Sequence, residues 1–240
     1  MFRRRRRGRT DAQAEPEAVE EAEPEAAEQA EPAPDDESST RPGDESPKTP
    51  RPNGPHDISE IEPDEAQRGR VDLGGIMLRG VSGLKLQLQV DKRSGSGTSV
   101  LLGSGESGVQ LMAVAAPRSS GLWGQTRMQM IADARQRGGT AEEADGPFGP
   151  EARIVVPVES AEANNAVQPS RVSGIDGPRW MLRATFLGSA TRDDEEFTRL
   201  VDIVRQTVVV RGDKPMAPGE LIPLRPPPQS ESTSDDDDQS

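Results

Sequence analysis

Between Leu84 and Val90 the chain alternates strictly: Leu84, Leu86, Leu88 and Val90 fall on one side, Lys85, Gln87 and Gln89 on the other. Period-two patterning of this kind makes a strand with one dry and one wet face. That is the habit of an antiparallel sheet covered on one side. Apolar runs at Val71–Leu78, Ser99–Leu102 and Val109–Ala115 are set off by Gly and Ser turns and read as its neighbours. Residues 152–158 (ARIVVPV), 179–188 (RWMLRATFLG) and 207–210 add strands, and 159–169 reads as a loop.

Two helices are expected among these strands. One runs from about Leu122 to Gln136, with Trp123, Met130, Ile131 and Ala134 on one side and Arg127 intruding; Gly138-Gly139 stops it. In the other, Phe197, Leu200, Val201 and Val204 stand at i, i+3, i+4 and i+7 and form one apolar stripe. Asp193 with Glu196 resembles a capping pair at its start. The expected fold class is α+β: a single domain, mainly antiparallel sheet with two packed helices, flanked by disordered charged tails.

The tails are set by composition. The net charge is −13, yet residues 71–212 hold 16 Lys and Arg against 16 Asp and Glu. Residues 1–70 hold 11 against 19, and residues 213–240 hold 2 against 7. From Asp11 to Glu37 there are 12 acids and no Lys or Arg, in a Pro/Ala/Glu background too poor in apolar groups to offset the entropy of ordering. The expected layout is therefore a leader over 1–65 with an arginine head, a domain over 66–227, and an acidic tail over 228–240. A neutral middle argues against a broad nucleic-acid footprint on the domain itself.

Composition also narrows the chemistry. The chain has one histidine, His56, placed by this reading in the leader, and no cysteine. Nucleophile–imidazole catalysis and most zinc sites lose their usual residues. No run approaches the length of a membrane span. The basic start lacks the apolar stretch of an export signal, so the expected setting is cytoplasmic.

Three stretches stand out as motifs: AAPRSSGLWGQTRMQM (115–130), SGIDGPRWMLRATFLGSA (173–190) and TVVVRGDKPMAPGELIPLRPP (207–227). Together they resemble an actinobacterial family, domain of unknown function 3710, over about Gly54 to Pro227. The resemblance implies the domain limits and a bacterial cytoplasmic setting. It brings no established activity, substrate or catalytic residue.

Two Asp-Gly-Pro turns, Asp145-Gly146-Pro147 and Asp176-Gly177-Pro178, echo each other. With Arg118, Arg179, Trp180 and Arg211 their carboxylates form the most suggestive set, a groove for an anion, a divalent ion or a partner. The plainer account has each Asp capping its own turn, Trp180 in the core and Arg179 in a structural ion pair. Likewise Arg118-Ser119-Ser120-Gly121 reads either as an anion site at a helix start or as a turn capped by Ser119 or Ser120. Glu142-Glu143 with Asp145 reads as a solvated loop, and Arg211-Gly212-Asp213 as a chance tripeptide. Arg3, Arg4, Arg5, Arg6, Arg7 and Arg9 form a head able to grip nucleic acid or pair with the acidic leader.

The expected function is a non-catalytic interaction domain with a protein partner. One alternative is an accessory nucleic-acid-binding factor working through the arginine head. Another is a metal-dependent phosphate-ester hydrolase using Asp145, Asp176 and Arg179. No catalytic residue, metal ligand or cofactor is assigned.

Overall fold

The structure, a computed structural model, describes residues 53–118, 121–158 and 166–227. Seven strands make the main sheet: β4 (Lys85–Val90), β5 (Gly97–Ser104), β6 (Ser107–Ala115), β7 (Thr140–Gly146), β8 (Gly149–Pro157), β9 (Val167–Gly177) and β10 (Trp180–Gly188). Their order is β4-β5-β6-β10-β9-β8-β7, and every pair is antiparallel. A smaller sheet joins β1 (His56–Asp57), β11 (Val208–Val209), β3 (Ile76–Arg79) and β2 (Arg70–Asp72), in that order. Three α-helices lie among the described residues: α1 (Pro63–Gln67), α2 (Trp123–Gln136) and α3 (Asp194–Arg205).

α3 and α2 cover opposite faces of the main sheet. On the α3 face, Leu111, Ala113, Leu182, Ala184 and Phe186 meet Phe197, Leu200, Val201 and Val204, with Ile76, Leu78 and Val209 of the small sheet in the same core. Phe186 and Phe197 stack edge to face with centroids 4.7 Å apart. Burial of each such side chain contributes roughly 1.5–3 kcal/mol, so this is the main core. On the other face Val114, Ala141, Ala152, Ile154, Val172 and Met181 receive Trp123 and Ala134 of α2. Trp123 lies so close that a Cβ on Gly174 would stand 2.2 Å from its ring. Any side chain there would lift α2 off the sheet.

The helix ends follow from the sequence. Asp193 Oδ1 accepts from the amides of Glu195 and Glu196, at 3.0 and 3.1 Å, and starts α3. α2 stops at Gly138, whose φ of 77° is left-handed. The amides of Gly138 and Gly139 bond back to the carbonyls of Arg135 and Ala134, the pairing of a Schellman ending.

The α+β class and the antiparallel main sheet are as expected, but Val71–Leu78, read as one strand beside Leu84–Val90, breaks into β2 and β3 of the smaller sheet, and four further details differ. First, the fold includes residues assigned to the leader. His56 and Asp57 pair with Val208 and Val209, and Asp57 is 6% exposed, so the boundary at residue 65 is too late. Second, residues 140–146 form a strand, because β8 supplies its ladder; the polar Glu142-Glu143 pattern concealed it. Third, β9 begins at Val167, inside the stretch read as a loop. Fourth, both faces of the sheet are covered. The side of Lys85, Gln87 and Gln89 stays wet at β4, whereas Ala141, Ala152, Ile154 and Val172 on β7–β9 make the same side apolar under α2. The acidic stretches 11–37 and 231–238 and the arginine head lie outside the described residues.

Candidate anion-binding groove

Three chain exits meet at one end of the main sheet. β6 leaves at Ala115 into Pro117 and Arg118, the β9–β10 hairpin turns at Pro178-Arg179, and the segment after β11 passes through Arg211, Asp213 and Lys214. Together they line a cavity of about 370 Å³ whose walls also include Pro215, Met216 and Pro218. Four cations, Arg118, Arg179, Arg211 and Lys214, face it with one carboxylate, Asp213. A second cavity of about 370 Å³, lined by Asp57, Ser59 and Pro178, shares Arg179, Arg211 and Asp213.

Arg179 is placed there by a constrained backbone. Pro178 fixes the first central position of the turn, and Arg179 holds the second at φ 60°, where a type II turn usually has glycine. A side chain in the left-handed region costs about 1–2 kcal/mol. The Arg179 carbonyl is used, accepting from the amide of Ala116 at 2.8 Å. Among the described residues its guanidinium has no hydrogen bond or ion pair. By contrast Arg127, Arg153, Arg171, Arg199 and Arg205 each sit against a carboxylate. Arg211 donates Nη1 to the carbonyls of Gly212 and Lys214, at 3.2 and 2.8 Å, and its buried Nε has no acceptor.

The structure separates the other predicted members of the set. Trp180 is fully buried, and its Nε1 donates to Asp57 Oδ2 at 2.6 Å. Asp176 Oδ1 accepts from the amides of Leu122, at 2.7 Å, and Trp123, at 3.2 Å, so it caps α2 rather than its own turn. Ser119 and Ser120, the expected caps, lie outside the described residues. Asp145 is exposed on β7 opposite Pro150, whose carbonyl accepts from Trp123 Nε1 at 2.7 Å. β7 and β9 run the same way, so both Asp-Gly-Pro turns do lie at one end of the sheet, yet neither Asp lines the groove. Among the described residues no group of three or more His, Cys, Asp or Glu is placed to hold a metal.

Sequence reading missed Lys214 and Asp213. The signal was the Arg211-Gly212-Asp213 tripeptide, read as chance, with Lys214 directly after it in a motif already singled out. It also missed Glu151, completely buried on the α3 face of β8. Glu151 Oε1 accepts from Arg171 Nε at 3.0 Å and Arg153 Nε at 3.2 Å, and Ser173 Oγ donates to Oε2 at 3.4 Å. The Arg171 guanidinium also lies 3.4 Å from the Phe197 ring centroid. On the opposite face Arg183 is half-buried, and loss of hydration draws its pKa down.

Over residues 54–233 the chain matches the family described as "Protein of unknown function (DUF3710)". No curated protein matches it. Among solved structures, the solution structure of cyanobacterial PsbP (CyanoP) from Synechocystis sp. PCC 6803 aligns at 14% identity and a TM-score of 0.35. That alignment covers 57% of this chain and 87% of the other. No helix among the described residues is long and apolar enough to cross a membrane.

Proposed function

The chain belongs to the DUF3710 family of proteins of unknown function, and we propose that it is a non-catalytic interaction domain which holds an acidic protein segment in the groove around Arg179. The observation that carries the reading is the placement of Arg179. A residue forced into a glycine conformation presents a guanidinium, without an acceptor among the described residues, beside Arg118, Arg211 and Lys214. Strained backbone of this kind clusters at ligand clamps and other functional sites, which supports the reading. Planar guanidinium groups suit carboxylates, and Pro117, Pro215, Met216 and Pro218 offer an apolar wall for the stem of a Glu side chain. The family resemblance supports a cytoplasmic setting. Each of the three motifs that carry that resemblance contributes to the groove: Arg118 from the first, Arg179 from the second, Arg211 and Lys214 from the third.

The test is fluorescence anisotropy of a labelled oligo-glutamate peptide with the full chain and with Arg179→Gly. Glycine relieves about 1–2 kcal/mol of left-handed strain against about 0.5–1 kcal/mol of added chain entropy, so the variant keeps its melting temperature. The expected result is salt-sensitive binding by the full chain, weakened about tenfold, or ~1.4 kcal/mol, in the variant. Equal binding by the two removes the groove reading. Oligonucleotide binding that survives Arg179→Gly and disappears when residues 1–9 are deleted would favour the arginine head instead.

A further inference from the structure

Resting on that reading, we propose that the groove is occupied in the free protein by the chain's own acidic segment, Asp235–Asp238, which a partner must displace. The first support is chemical. After Arg225 the sequence contains Glu231 and Asp235–Asp238 and no Lys or Arg, so these carboxylates have no cation of their own. The acids of 11–37 follow directly on Arg3–Arg9 and have cations close at hand in sequence. Groove and segment are complementary in charge, Arg179, Arg211 and Lys214 with one carboxylate, Asp213, against the four acids of Asp235–Asp238.

The second support is reach. Pro218 lines the groove, and from there the chain runs along the edge of β6. Gly219 N donates to Ala115 O, Ile222 N to Ala113 O, and Leu224 exchanges both backbone bonds with Gly97. Six steps separate Pro218 from Leu224, at most about 20 Å of extended chain. Eleven steps separate Leu224 from Asp235, a reach of up to about 36 Å. The segment lies outside the described residues, but its tether is long enough to return to the groove with slack. A group on a tether of this length acts at an effective concentration on the order of millimolar. A contact too weak to see between separate molecules is therefore largely made within one.

The experiment is the oligo-glutamate titration of the full chain against a variant with Asp235→Asn, Asp236→Asn, Asp237→Asn and Asp238→Asn together. These changes remove charge, keep length and alter no residue of the described fold. The expected result is a gain in probe affinity of at least about threefold in the variant, from loss of the tethered competitor. The gain should fade as salt is raised and vanish when Arg179→Gly is added. Equal affinity of variant and parent, with binding still weakened by Arg179→Gly, overturns the tail as occupant and leaves the groove standing. Unchanged binding in Arg179→Gly alone removes the groove and this inference with it. A gain that grows with protein concentration overturns the intramolecular form in favour of a second copy.

Discussion

The indole Nε1 of Trp180 donates to the carboxylate of Asp57 across 123 positions of sequence, at 2.6 Å. That bond ties the first strand of the fold to the β9–β10 hairpin, directly beside Arg179. Asp57 Oδ1 meanwhile accepts from the amide and hydroxyl of Ser59, at 2.9 and 2.6 Å, and the amide of Asp57 donates to Glu60 Oε2 at 2.9 Å. A buried carboxylate thus has donors for both oxygens, which is the condition for its burial to be tolerated.

Trp180→Phe fills most of the same space but leaves Asp57 Oδ2 without this donor. The expected loss is about 1–3 kcal/mol, the cost of an unsatisfied buried group. Trp180→Ala adds a cavity and should lose about 3–5 kcal/mol. Urea denaturation followed by circular dichroism reads both. A Phe variant as stable as the parent would show that the bond contributes nothing and that Trp180 works by volume alone.

Asp176→Ala removes the carboxylate that caps α2 through Leu122 and Trp123. The expected cost is about 0.5–2 kcal/mol, typical of a lost N-cap. Asp176→Asn should recover part of it, since its amide oxygen still accepts. If Asp176 were instead a metal ligand, both variants would leave stability intact and abolish a thermal shift by Mg²⁺ or Mn²⁺; differential scanning fluorimetry with and without the ions separates the two roles.

Much of this architecture is readable in the residues. The alternation around Leu86 and the stripe of Phe197, Leu200, Val201 and Val204 are local patterns, and β4 and α3 form where they say. Asp193 is a local cap and was legible for the same reason. β7 was not, because Glu142 and Glu143 gain their place from β8 and from Arg127, whose Nε meets Glu143 at 2.8 Å and whose guanidinium lies 5.8 Å from the Trp123 ring centroid. The site divides the same way. Arg118, Arg179 and Arg211 were picked out of three separate motifs, and topology brings them together. Asp176 looked like their neighbour because it is three residues from Arg179, but strand alternation turns it toward α2. Sequence proximity misled there, and only the sheet's register could correct it.

The Glu151 cluster makes a sharper energetic prediction. Glu151 is fully buried between Arg171 and Arg153, and Arg171 is itself mostly covered. Glu151→Gln keeps the shape and removes the countercharge, stranding Arg171 beneath α3. The expected destabilisation is about 3–5 kcal/mol, as for a buried pair with one partner removed. Removing both charges with Glu151→Gln and Arg171→Met should cost less than the sum of the single changes. A double-mutant cycle by chemical denaturation measures that coupling, and additive values would show that the two groups do not depend on each other.

Beyond the end of the edge strand β4, Asp91 gives a pH-dependent readout. Its carboxylate accepts from the Ser94 amide at 2.8 Å, the Arg93 amide at 2.9 Å and the Ser94 hydroxyl at 3.1 Å, closing the β4–β5 turn. These bonds, the Ser94 amide first, hold its pKa below the ordinary Asp value. A folded-state pKa below the unfolded one means stabilisation present above the unfolded pKa. It is lost as pH falls through the folded value. The turn should therefore stay closed at neutral pH and loosen only in acid, below the range where an ordinary Asp protonates. In a ¹⁵N-resolved NMR titration the Arg93 and Ser94 amides should move together, with a midpoint beneath that range. Asp91→Asn should abolish the transition and leave the β6–β10 amides unchanged. A midpoint at the ordinary Asp value, or its persistence in the Asn variant, would remove Asp91 as the group that holds this turn.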